Sequence, residues 1–190
     1  MRVRVLLTCL LLAACGSGAE QPATVAEKEA AQIEAVRTMT GFDRVFASPV
    51  ETVNSINQAG FGLPSYAAAN GAFGAQGVDR LMSRSTAPSP NMGTAAVNGA
   101  AADRLDRIAY TLKIGDPQDA ATARDRFATT VGEFLTRAGV TDGEPVLAAI
   151  RAGRSARPTV SGLPVTVAAT PTRIDVTFSR PAATGASANS

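Results

Sequence analysis

Residues 163–179 read Leu-Pro-Val-Thr-Val-Ala-Ala-Thr-Pro-Thr-Arg-Ile-Asp-Val-Thr-Phe-Ser. Val165 and Val167 alternate with Thr166 and Ala168. Ile174, Val176 and Phe178 alternate with Asp175, Thr177 and Ser179. A period of two sends one set of side chains to a core and the other to water, as in an antiparallel sheet with one solvated face. Thr170-Pro171-Thr172 supplies a turn between the two runs, so the stretch predicts a hairpin. Working outward, Ile108, Tyr110, Leu112 and Ile114 repeat the alternation against Ala109, Thr111 and Lys113.

Helices are predicted between that strand and the hairpin. Asp116-Pro117 offers an N-cap followed by proline in the first turn, with Asp119 near the positive end of the dipole. Phe127, Val131, Phe134, Leu135 and Ala138 then lie on one helical face. Gly139 stops this helix, with Leu135 and Val140 placed for the apolar contact of a Schellman motif. A shorter helix over about 143–152 turns Val146, Leu147 and Ile150 inward, with Gly153 beyond its end. Upstream, Ser48-Pro49-Val50-Glu51 has the form of a capping box, and Val50, Val53 and Ile56 share a face. Gly60 ends that helix as Gly139 ends the other. Glu27 to Thr40 is rich in helix formers, with Ala26, Ala30, Ile33 and Val36 near helical spacing. Gly41 is its expected stop, with Phe42 folding back on Val36.

These elements predict an α+β fold: a small antiparallel sheet of about four strands with two or three helices packed on one face. Residues 62–102 are an irregular segment crowded with Ala, Gly, Ser and Pro. Short strands are expected around Tyr66–Phe73 and Val78–Ser83, and a loop over Ser85–Gly93. Asn70-Gly71 and Asn98-Gly99 favour type I′ turns. The 190 residues suit one domain with flexible ends, over 25–180, followed by a disordered tail at 181–190.

The N-terminus reads MRVRVLLTCLLLAACGSG. Arg2 and Arg4 form a basic region, and Val5 to Leu12 is an apolar run too short for a stable transmembrane helix of ~20 residues. Small residues follow, as in a secretory signal peptide over residues 1–14. Leu12-Ala13-Ala14-Cys15 resembles the lipobox of bacterial prolipoproteins. The resemblance covers residues 1–16 and implies cleavage between Ala14 and Cys15, diacylglycerol on the Cys15 sulfur and acylation of the new amino group, such as by palmitate. Residues 15–24 would then be a lipidated tether. Two or three acyl chains anchor a protein stably where one is marginal. With Gly16 and Ser17 after the cysteine and no aspartate beside it, the resemblance points to the periplasmic face of the outer membrane.

Processing alters the charge and thiol count. The chain has 18 Lys+Arg against 16 Asp+Glu. Losing Arg2 and Arg4 with the leader makes the remainder formally neutral, which gives a nucleic-acid partner no support. Cys9 leaves with the leader and Cys15 is consumed by lipid, so neither disulfide nor thiol chemistry is expected of the mature chain.

The chain contains no histidine, which excludes Ser-His-Asp and Cys-His catalysis and any metal site that needs imidazole. No cofactor or metal ligand set is predicted. Gly71, Gly74 and Gly77 have glycine-rich spacing but lack the strand-to-helix context of a phosphate loop. The carboxylate pairs Asp103/Asp106 and Asp116/Asp119 are read as a strand entry and a helix cap. The one charge cluster is Arg151-Ala-Gly-Arg154-Ser-Ala-Arg157, a candidate contact for anionic lipid or glycan. Gly153 and Pro158 are expected to splay these arginines into separate positions. No catalytic constellation emerges. The expected function is a non-enzymatic lipoprotein of the cell envelope that binds a partner or supports an assembly. The alternatives are a carrier of an apolar or anionic small molecule and a histidine-free envelope hydrolase.

Overall fold

The computed structural model describes residues 34–69 and 71–181. The leader, Cys15, the tether and the tail at 182–190 lie outside the described residues. Residues 34–38 are helical. The helices that follow are α1 (Gly41–Ala47), α2 (Pro49–Gln58), α3 (Ala120–Arg137) and α4 (Glu144–Ala152). The strands are β1 (Ala67–Ala69), β2 (Ala72–Gln76), β3 (Arg80–Leu81), β4 (Met92–Gly99), β5 (Arg107–Lys113), β6 (Thr159–Val160), β7 (Leu163–Thr170) and β8 (Arg173–Ser179). They form one eight-stranded sheet in the order β1-β2-β4-β5-β8-β7-β6, with β3 also on β4. Every pairing is antiparallel.

The α+β class is as the alternation predicts, and the sheet is larger than about four strands. Four strands are long and four are short. The hairpin is in register as Val165↔Phe178 and Val167↔Val176, and β8 inserts between β7 and β5 as Tyr110↔Val176. That register stacks Ile108, Tyr110, Leu112, Ile174, Val176, Phe178, Val165 and Val167 on one buried face. Helix α3 covers β5 and α4 covers β7. The Phe134 ring sits 5.6 Å from Tyr110 and 5.8 Å from Phe178, and Phe42 of α1 closes on Phe178 at 5.5 Å.

Helix ends follow their glycines. Val140 N–H donates to the Leu135 carbonyl and Gly139 N–H to that of Thr136, the paired bonds of a Schellman motif. The same pair recurs after α4, from Arg154 to Ala149 and from Gly153 to Ile150. Asp116 caps a 3-10 turn at Pro117–Asp119 that leads into α3, accepting from Gln118 N–H at 3.0 Å.

Several expectations are corrected. Strand β4 runs through the segment read as irregular, so the loop ends at Asn91 and Asn98-Gly99 closes a strand instead of making a turn. Its inward positions are Gly93, Ala95, Val97 and Gly99, which is why no apolar pattern marks it. A Cβ on Gly99 would lie 2.5 Å from both the Arg104 carbonyl oxygen and the Tyr66 hydroxyl, and one on Gly93 would collide with Met82. Bulk at this edge comes from neighbouring segments. Helix α1, unforeseen, contributes Phe42, Val45 and Phe46 to the core. Gly41 has the left-handed φ of 58° expected of a stop, yet it also opens α1. The capping box at Ser48 is not made: the Ser48 hydroxyl caps nothing, and Glu51 turns to Arg44 at 2.9 Å. Val50 is 70% exposed, and Thr52 points inward instead, donating to the Val45 carbonyl at 2.7 Å.

Tyr110 is fully buried among aromatic rings, and its hydroxyl has no hydrogen-bond partner among the described residues. Burial pushes its phenol well above the usual value, against the opposing charge of Arg137. An unpartnered buried hydroxyl costs ~1–3 kcal/mol. Tyr110→Phe is therefore expected to stabilise the protein by about 1 kcal/mol, measured as a higher urea midpoint. A lower midpoint would mean that the hydroxyl is bonded.

Candidate functional site

The turns at one end of the sheet are built from short-range polar clamps. The β4–β5 connection is pinned by Ala101 pairing with Arg104, by Ala100 N–H donating to Asp106 Oδ2 at 2.7 Å, and by Leu105 N–H donating to the Phe46 carbonyl at 2.7 Å. Tyr66 reaches over it, its hydroxyl 3.1 Å and 2.9 Å from the Ala101 and Arg104 carbonyls. Burial raises the Tyr66 phenol above its usual value, with the charges of Asp106 and Asp103 adding to this. The β6–β7 turn places Ser161 at φ 46° and Gly162 at φ 77°, the two left-handed positions of a type I′ turn. Serine is held there by Asp142, which accepts from Ser161 N–H and Oγ, both at 2.7 Å. The backbone bond first and the hydroxyl bond second hold the Asp142 carboxyl below the usual carboxylate range.

These turns, helix α1, the helical stretch 34–38 and the end of β8 surround an open groove of about 1040 Å³. Its floor is Phe42, Phe46 and Leu163, each a core residue exposed along one edge. Val36 and Met39 form a half-buried wall. Arg37, Arg44, Arg104 and Arg180 line the rim with Asp43, Glu51 and Asp103. The Arg44–Glu51 pair is closed at 2.9 Å. Arg37 lies 3.5 Å from Glu34 and Arg180 lies 4.0 Å from Asp106, both loose, and Arg104 has no ion-pair partner among the described residues. A second groove of about 690 Å³, lined mostly by polar side chains, separates α2 from the end of α3. It shares Met39, Arg44 and Glu51 with the first. The arrangement can accept an elongated apolar group beside an anion.

The open face of the sheet carries polar and small side chains, among them a network around Asp175. Thr111 Oγ1 donates to Asp175 Oδ1 at 2.6 Å, and Arg173 Nε donates to Asp175 Oδ2 at 2.6 Å. Burial pushes the Asp175 carboxyl up. The bonds from Arg173 and Thr111, with the charges of Arg173 and Arg107, outweigh it and hold the carboxyl below its usual value.

Of the residues singled out in the sequence, Cys15 and Ala14 lie outside the described residues. Arg151 sits in the last turn of α4, 3.0 Å from Glu144 and 3.4 Å from Asp125. Gly153 ends the helix with a left-handed φ of 60°, and Arg154 and Arg157 stand exposed on the link that pairs Ala156 with Val167. Asp106 and Asp116 are engaged in the turn and cap described above. No group of three or more His, Cys, Asp or Glu side chains among the described residues could hold a metal ion. No helix among the described residues is long and apolar enough to cross a membrane. The groove arginines were not legible as a set, because residues 37, 44, 104 and 180 meet only through the fold. Compared with protein-family models, with curated proteins and with solved structures, the chain matches none.

Proposed function

We propose that the chain is a lipoprotein of the bacterial envelope, anchored through acyl chains on Cys15, whose folded part is a non-enzymatic binding or assembly-support domain. The observation that carries this reading is the sequence of the first sixteen residues: two arginines, an apolar run, and Leu12-Ala13-Ala14-Cys15. Gly16 and Ser17 favour the periplasmic face of the outer membrane. The groove beside residues 35–39 adds a candidate binding surface.

The test is fractionation of a diderm host expressing the protein. The wild type is expected in the membrane fraction, labelled by radioactive palmitate. Cys15→Ser is expected to be unlabelled, and either soluble or retained as a larger precursor. A Cys15→Ser chain that matured to wild-type size and stayed in the membrane would refute the anchor. Carriage of a small molecule is the second reading, favoured by the volume and apolar floor of the groove.

A further inference from the structure

We infer that the groove between α1, the β4–β5 turn and the β6–β7 turn binds a single-chain anionic amphiphile, its acyl chain on the aromatic floor and its carboxylate or phosphate on the arginine rim. This deepens the binding-domain reading above and does not depend on the lipid anchor.

Three features of the groove argue for this class of ligand. Its floor is apolar, made by Phe42, Phe46 and Leu163, while its rim is charged. Its volume of about 1040 Å³ is at the upper end of small-molecule sites, which span ~300–1,000 Å³. An acyl chain would lie against the half-buried Val36 and Met39 and the narrow exposed edges of Phe42, Phe46 and Leu163, and burial is favourable in proportion to the apolar area covered.

The rim supplies the anion preference. The pair Arg44–Glu51 is closed and contributes no free charge. Arg104 has no ion-pair partner among the described residues, and its neighbours Arg37 and Arg180 make only long pairs at 3.5 Å and 4.0 Å. Long, exposed pairs are weak, so both guanidinium groups can turn to a bound anion. These three cations face Asp43 and Asp103 as the remaining carboxylates of the lining. With four arginines against three carboxylates in the lining, the anion preference centres on Arg104, whose planar guanidinium can pair with a carboxylate or phosphate.

The wall explains access. Among the described residues, the hydrogen bonds and ion pairs of residues 34–39 are internal to that stretch: Thr38 Oγ1 to the Ala35 carbonyl, Met39 N–H to the Val36 carbonyl, and Arg37 to Glu34. From this side Ala35, Val36, Arg37 and Met39 line the groove, with Val36 and Met39 half-buried. The groove is open to solvent beside this wall, so a chain can enter it.

The experiment uses residues 15–190 carrying Cys15→Ser, which retain every described element. Laurate below its micellar concentration is titrated by calorimetry, beside dodecanol, inorganic phosphate and vesicles of phosphatidylglycerol. Saturable laurate binding is expected, with dodecanol about tenfold weaker for want of a charge-assisted bond and phosphate alone unbound. Arg104→Gln should weaken laurate by about tenfold and leave dodecanol unchanged. Ala35→Trp, at an exposed lining position of the wall, should obstruct the groove and weaken binding while its circular dichroism and urea midpoint stay as in the parent. Absent laurate binding, equal binding by Ala35→Trp, or competition by phosphate would overturn the inference. So would attachment to vesicles without laurate binding, which would make the rim a bilayer contact. Loss of laurate binding would leave the palmitate result intact, and failure of the anchor would leave the groove intact.

Discussion

Phe134→Ala is expected to lower the unfolding free energy by about 3–5 kcal/mol, the range of large-to-small changes in a rigid core. Phe134 is 2% exposed. Its ring touches the two central strands at once, through Tyr110 on β5 and Phe178 on β8. Those strands are paired along their whole length and cannot sag into the space left by the ring. On the helix side, Val131 and Leu135 are already buried and have no spare reach. The cavity therefore stays open, and its lining loses dispersion contacts outright. A domain of this size has ~5–15 kcal/mol in total, so the variant should sit near its unfolding threshold at 37 °C. Urea titration reads the effect as a lower midpoint with an unchanged slope. Val50→Ala, at a 70% exposed position, is the control and should shift stability by less than ~0.5 kcal/mol. A loss under ~1 kcal/mol at Phe134 would place the helix face elsewhere.

Asn91→Ala should cost about 2–3 kcal/mol, through polar groups it leaves stranded. Asn91 is fully buried. Its Oδ1 accepts from Asp116 N–H at 3.0 Å, and its Nδ2 donates to the Asp116 carbonyl at 3.1 Å and lies 3.3 Å from Ser83 Oγ. One amide thus ties the start of β4 to the entry of the 3-10 turn before α3. Alanine removes these partners from the Asp116 backbone and the Ser83 hydroxyl. The loop over 84–90 is anchored through the same junction, since Ser85 Oγ donates to Asp116 Oδ2 and accepts from Ala87 N–H. Faster tryptic cleavage after the exposed Arg84 should accompany the loss of stability. Wild-type cleavage rates in Asn91→Ala would show that the loop is held by other means.

Much of this fold is written in side-chain size. The hairpin and β5 were legible because each inward position carries a bulky apolar residue and each outward one a short or polar residue. The ends of α3 and α4 were legible because glycine can take the left-handed conformation that a Schellman motif requires. Strand β4 was not, because Met82 and Tyr66 occupy the space its own side chains would fill, leaving Gly93 and Gly99 where a strand pattern calls for bulk. Helix α1 was missed because seven residues hold barely two turns, and its phenylalanines look like isolated loop anchors. The groove lies beyond sequence reading for a further reason. Arg151, Arg154 and Arg157 are neighbours along the chain, while the arginines of the rim come from the helical stretch 34–38, α1, the β4–β5 turn and the end of β8.

The insertion of β8 between β5 and β7 also dictates when the domain can form. β8 is the last strand among the described residues, and its pairing with β5 joins Arg107 to Ser179 and Lys113 to Arg173. Until residue 179 has been synthesised, β5 and β7 have no partner on their facing edges, and the aromatic cluster lacks Phe178. Productive nucleation must therefore wait until residue 179 has been made, and closing so long a loop slows it further. A nascent chain that cannot collapse to its native state before then remains extended and threadable up to that point. Chains stopped short of residue 173 would present two naked strand edges to their neighbours, the condition that leads to aggregation instead of folding.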